Sequence, residues 1–174
     1  AMWFDWCRFN QWRVTEFFRF LKREIRARGV DAPVHVKVVN ERTFFGSETP
    51  WAKGRIVSDH NDGIDREALA ELCDLNGCDT RIVRGLSDYA INWLLHNLAL
   101  DFMRSIAPKK PVFDDEWHSV DTVYFRDPEI PYDHMRCALY LAHLHGMSAN
   151  LVWWWGRRGA EPKPEWFTES LLTQ

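Results

Sequence analysis

The chain has 174 residues, 46% of them hydrophobic, which is enough to bury one sizeable core and fits a single domain over residues 1–174. Its net charge of -3 comes from Lys, Arg, Asp and Glu mixed throughout, with no basic face, so nucleic acid is not an expected partner. No apolar run reaches membrane-spanning length, and the charged residues directly after Ala1-Met2-Trp3 do not read as a signal peptide, so no membrane partner is expected and the cytoplasm is favoured.

The predicted elements begin with a helix from Asn10 to Arg28, where Val14, Phe17, Phe18, Leu21 and Ile25 recur at spacings of three and four and Gly29 ends the run. Pro33 to Asn40 is short, β-branched and bounded by breakers, the pattern of a strand finishing at Asn40. A polar loop, Glu41 to Gly63, follows. Ile64 to Cys73 has a short helical pattern, and Asn76 to Arg81 reads as a weak strand with its carboxyl end near Asp79 and Arg81. Ser87 is suited to cap a long helix reaching Ile106, which Pro108 stops. Lys110 to Glu116 forms the next strand, apolar at its start and acidic at its end. Pro131 opens a helix that continues to Gly146, Asn150 to Trp155 forms a last strand, and a short helix lies near Trp166.

Alternating helices and strands imply parallel βα units, and a complete (β/α)8 barrel needs about 250 residues. The expected fold is therefore α/β, half of such a barrel. Functional groups of a barrel gather at the carboxyl ends of its strands, here Asn40, Asp79 or Arg81, Glu116 and Trp155. The cluster Asp114-Asp115-Glu116-Trp117-His118 is the strongest local signal. Regular alternation would send Asp114 and Glu116 to one face and Asp115 to the other, putting at least one acid into the barrel mouth. A carboxylate there needs partners, which favours a functional Glu116 over a solvated acidic cluster. His118 can orient Glu116 or contact a sugar hydroxyl.

Ten Trp in one small domain suit stacking against the flat faces of sugar rings, although most of them serve as core. Trp153 and Trp155 share a face, and Trp155, at the strand end, is the natural stacking platform. Arg157 and Glu161 follow in a loop, as His60-Asn61-Asp62 do earlier, where they can touch ligand or solvent. His134, His143 and His145 lack the same-face spacing of a zinc site, and Cys7, Cys73, Cys78 and Cys137 lack paired metal-ligand spacing. Neither metal nor cofactor is expected, and the thiols are expected to be free and mostly buried.

Three stretches carry a family resemblance. Phe4-Asp5-Trp6-Cys7-Arg8-Phe9 leading into Val14-Thr15-Glu16-Phe17 is similar to the Asp-Tyr-x-Arg-Phe stretch and following helix of family 42 β-galactosidases, in clan A of the glycoside hydrolases. Lys110-Pro111-Val112-Phe113-Asp114-Asp115-Glu116 is similar to that family's nucleophile strand, and Ala138 to Gly146 with Val152 to Arg157 is similar to its last helix and tryptophan-bearing strand. The resemblance implies the half barrel of strands 5–8 with their helices, and Glu116 as nucleophile of a retaining enzyme that passes through a glycosyl-enzyme intermediate. It places the acid/base Glu upstream of Ala1. Trp117-His118 stands where family 42 usually has glutamines, so a galactoside preference does not carry over.

On this reading Asn40, Asp79 and His118 contact sugar hydroxyls and Trp155 stacks on the ring. The exposed inner face and sheet edges call for a partner, either a second copy or a complementary amino-terminal half barrel. The alternatives are a catalytically inactive half-barrel carbohydrate-binding or assembly module, and an unrelated metal-free hydrolase or isomerase on the same fold.

Overall fold

The computed structural model describes residues 2–39, 63–80, 89–117 and 132–152; within the helices, the side chains of 89–95 and 132–134 are not described. Helix α1 spans Met2–Ala27 and starts eight residues before the predicted Asn10. No breaker interrupts Met2 to Phe9, and Trp6, Phe9 and Trp12, three apart, stack in succession at 6.0 and 5.9 Å between ring centroids. The one-face pattern failed to reveal this turn because Trp3, Phe4, Trp6, Phe9 and Trp12 lie all round the helix and are exposed. Gly29, at φ 75°, ends the helix as expected, since an L side chain rarely adopts that conformation.

Of the predicted strand over 33–40, the described residues 33–39 form an extended segment rather than a regular strand, and Asn40 lies outside the described residues. The segment lies beside β1 (Asn76–Cys78), held by the amides of Asp74 and Asp79 donating to the carbonyls of Val34 (2.8 Å) and Val38 (3.0 Å), and by a parallel bridge between Val39 and Asp79. Between these contacts Gly77 presses so close that a Cβ there would stand 2.6 Å from the Val36 oxygen. Helix α2, Arg66–Leu72, precedes β1 and is capped by Asp65, whose carboxylate accepts from the Ala68 amide at 3.0 Å.

Helix α3 (Tyr89–Ile106), strand β2 (Val112–Trp117), helix α4 (Tyr132–Leu144) and strand β3 (Met147–Val152) follow. β3 starts three residues before the predicted Asn150: Gly146, at φ 102°, turns the chain directly from helix to strand, and Met147 already belongs to the core. Arg81, Ser87, Pro131, Trp153 to Trp155 and the short helix near Trp166 lie outside the described residues.

The three strands are parallel and ordered β1-β2-β3, so neighbours in space are neighbours in sequence, and the 34–39 segment extends the same order beyond β1. Cys78, Val112, Trp117 and Met147 of the sheet pack on Leu100 and Met103 of α3 and Ala138 and Ala142 of α4. Parallel strands in chain order with helices on one face fit part of a (β/α)8 barrel. On the opposite face Phe113 meets His35 edge to face at 4.9 Å, and Leu151 of β3 is exposed.

One irregularity decides where the acidic side chains go. Asp114 pairs with Asn150 and Trp117 with Val152, so three steps along β2 match two along β3. The extra residue makes a β-bulge at Asp115-Glu116, opposite Leu151. Burial follows it: Val112, Asp114 and Trp117 are buried, whereas Phe113, Asp115 and Glu116 are partly open.

Candidate active site

The site grows from the two pieces of the sheet that flank β1. On the extended segment, His35 and Lys37 are two residues apart and project to the same side. On β2, the bulge turns Asp115 and Glu116 together toward that pair. Lys37 Nζ donates to Glu116 Oε2 and stands 3.9 Å from Asp79 Oδ2, while His35 Nδ1 is 3.6 Å from Asp115 Oδ2. Alternation had placed Asp114 with Glu116 and Asp115 opposite. The structure keeps Asp115 opposite Asp114 but brings Glu116 round to join Asp115, because the inserted residue shifts the face of everything after Asp115 by one.

Glu116 keeps 17% of its side chain exposed, against 4% for Asp79, so of these two carboxylates Glu116 is the one a ligand can reach. Desolvation pulls the Lys37 ammonium down, but its bond to Glu116 and the charges of Glu116, Asp79 and Asp115 outweigh this and hold it above its ordinary value. Asp115 is pushed above the usual carboxylate range by desolvation; His35 and Lys37 oppose the shift and Glu116 adds to it. The mouth is therefore a network of three acids around one lysine, with an imidazole at its edge.

Two buried anchors flank the bulge on the helix side. Asp114, fully buried, accepts from the Thr80 hydroxyl and, at 3.4 Å, from the Thr80 amide. Burial raises its carboxyl to about 7 against the bonds from Thr80, with Asp79 adding to the rise and the Glu116 amide opposing it. Trp117, 2% exposed, donates its indole N–H to His96 Nε2 at 2.9 Å. With Nε2 accepting, the neutral ring carries its proton on Nδ1, which faces Asn97 Oδ1 at 3.3 Å. Desolvation lowers His96 to about 4.

Of the residues singled out from sequence, Glu116 and Asp79 are brought together around Lys37. Asn40, His118 and Trp155 lie outside the described residues, as do Arg157, Glu161 and the His60 to Asp62 trio. Lys37, His35 and Asp115 were missed as site residues. The available signal was His35-x-Lys37, two polar side chains on one face of an otherwise β-branched strand. Cys7, Cys73 and Cys78 are buried and Cys137 exposed, all as free thiols. Among the described residues no group of three or more His, Cys, Asp or Glu is placed to hold a metal ion, and no helix is long and apolar enough to cross a membrane.

Fold and site together define part of a (β/α)8 barrel that gathers carboxylates at the carboxyl ends of its strands. Among solved structures, the chain is similar to the crystal structure of apo exo-carrageenase GH42 from Bacteroides ovatus, with a TM-score of 0.70 and 32% sequence identity over 91% of this chain. The resemblance to family 42 of the clan A glycoside hydrolases that the sequence motifs carry is thereby shown. The chain spans 21% of that enzyme's length, so what it resembles is one part of a glycosidase. No protein-family model matches the chain, and neither does any curated protein.

Proposed function

We propose that the chain is the carboxyl-terminal half of the catalytic barrel of a retaining glycoside hydrolase. In this reading residues 1–174 form one domain, and the 33–40 segment, β1, β2 and β3 are strands 5 to 8. Glu116 is the nucleophile. The observation that carries the proposal is the position of Glu116 at the carboxyl end of β2, partly open and bonded to the Lys37 ammonium, on a chain 32% identical to a family 42 enzyme.

The chemistry follows from that position. A Glu116 oxygen attacks the anomeric carbon as the glycosidic C–O bond breaks, and the leaving oxygen takes a proton from an acid/base carboxyl supplied by a preceding strand of the barrel. Water then cleaves the glycosyl ester and frees Glu116. The Lys37 ammonium favours the ionised Glu116 that attack requires. Asn40 and His118 contact sugar hydroxyls and Trp155 stacks on the ring, while Asp79, expected from sequence to do the same, is closed off and faces Lys37 instead; no cofactor enters.

The exposed aromatic residues of α1 and the exposed Leu151 on the inner sheet face support a covering partner, a complementary amino-terminal half barrel or a second copy. The inactive carbohydrate-binding module remains the rival. The deciding experiment follows burst and steady-state release from activated aryl β-glycosides, with carrageenan oligosaccharides alongside, for the wild type and Glu116→Gln. Release that disappears in Glu116→Gln supports a nucleophile. Binding without release by either form supports the module.

A further inference from the structure

We propose that Asp114 is a positioning residue for Glu116: its buried carboxyl, held by Thr80, ties down the β-bulge that turns Glu116 out of the helix-facing row and toward Lys37. The role rests on the reading of Glu116 as nucleophile, and the bulge supplies its physical basis.

In an unbulged β2, residue 116 would share the face of Val112 and Asp114, the side buried against α3 and α4. One extra residue between the Asp114–Asn150 and Trp117–Val152 pairs moves Glu116 to the open side and returns Trp117 to the core. The bulge takes Glu116 out of the regular alternation of β2, directly after Asp114 and Asp115. The Thr80 hydroxyl and amide fix the Asp114 carboxyl from the neighbouring strand end, directly before the bulge, and the Glu116 amide two residues on favours that carboxyl's ionised form.

Packing alone does not account for an acid at this position. Val112, on the same face, shows what the core accepts there, and a fully buried carboxyl is expensive beside Asp79, a neighbour of like sign. The three donors from Thr80 and Glu116 are what an acceptor at position 114 gains and an apolar side chain forgoes. The second anchor, Trp117 on His96, secures the far side of the bulge, so Glu116 is carried between two buried fixed points.

The test compares Asp114→Asn, Asp114→Leu and Thr80→Val with the wild type in the full chain. It reads kcat and KM on an aryl β-glycoside, the thermal midpoint, and the titration of the Glu116 carboxyl by carbon NMR. Asn keeps an acceptor for the Glu116 amide, and Leu fills the site without one. The expected result is a fall in kcat of about 100-fold for Asp114→Leu with KM changed less than about threefold, a smaller fall for Thr80→Val, and recovery to within about threefold in Asp114→Asn. The Glu116 titration should move in Asp114→Leu and return in Asp114→Asn. Equal losses in Asn and Leu, or losses that track the thermal midpoint with an unmoved Glu116 titration, would overturn the proposal. If Leu prevents folding, Thr80→Val decides by the same two readouts. If the wild type turns over no glycoside, the nucleophile reading fails, and the Glu116 titration alone settles whether Asp114 holds the bulge.

Discussion

Lys37 and Glu116, 79 residues apart in sequence, meet as a direct ion pair that reaches over β1 from the extended 34–39 segment to β2. With Lys37 38% exposed, such a pair adds little to stability, at most about 1 kcal/mol. Its consequence is electrostatic: an adjacent cation favours the ionised carboxylate. Lys37→Met should therefore raise the pH at which Glu116 ionises, moving the acid limb of the kcat/KM profile upward by about one unit. Lys37→Arg should keep most of the wild-type profile. An acid limb that stays in place in the Met variant would show that the lysine does not govern Glu116.

The buried Trp117–His96 bond predicts a stability effect. His96→Leu leaves the indole N–H without its acceptor and should cost about 1–3 kcal/mol in urea unfolding. Replacing both partners, as His96→Leu with Trp117→Phe, removes the orphaned donor. The double variant should be more stable than the sum of the two single losses predicts.

Two buried groups make stability depend on pH in opposite directions. Asp114 holds its proton to about 7 when folded but near 3.8 when unfolded, so the stability linked to its protonated form is full below about pH 4 and is lost as pH rises to about 7. His96 is lowered from 6.5 to about 4, so its contribution is present above about pH 6.5 and is lost as pH falls toward 4. Asp114→Asn abolishes the first effect and leaves the second. Its stability relative to the wild type should therefore improve between about pH 5 and about pH 7, by up to about 1.4 kcal/mol per unit of pH. Urea unfolding across that range checks it, and a constant difference would contradict a shifted Asp114.

Gly77 is the hinge of contact between β1 and the segment that bears Lys37. In Gly77→Ala the new Cβ would lie 2.6 Å from the Val36 carbonyl oxygen and 2.7 Å from His35 Nδ1, so the segment must move away. A loss of about 1–3 kcal/mol is expected. Because the displacement also carries Lys37 from Glu116, activity should fall further than a surface variant of equal instability. Thermal midpoint and kcat, measured together, separate the two effects.

Much of the architecture was legible in the order of residues. Periodicity and breakers placed the helices around α3 and α4 and the strands around β1 and β2, since a 3.6-residue apolar repeat and a β-branched run between breakers reflect burial of one face. Glu116 stood out because an acidic end on an apolar strand needs a reason. The boundaries went astray where burial was not one-sided, as in the aromatic first turns of α1, and where one glycine turned helix directly into strand, as at Gly146.

The sequence by itself determined the succession of α and β elements, the parallel class of sheet and the presence of Glu116 at the end of a strand, because these depend on local patterning and chain order. Only the tertiary structure decided which way the acids point and what they meet. The bulge depends on pairing between β2 and β3, and the joining of Lys37 with Asp79 and Glu116 depends on three chain segments lying side by side. Neither relation leaves a trace in the spacing of neighbouring residues, since a single extra residue reverses the face of all that follow it.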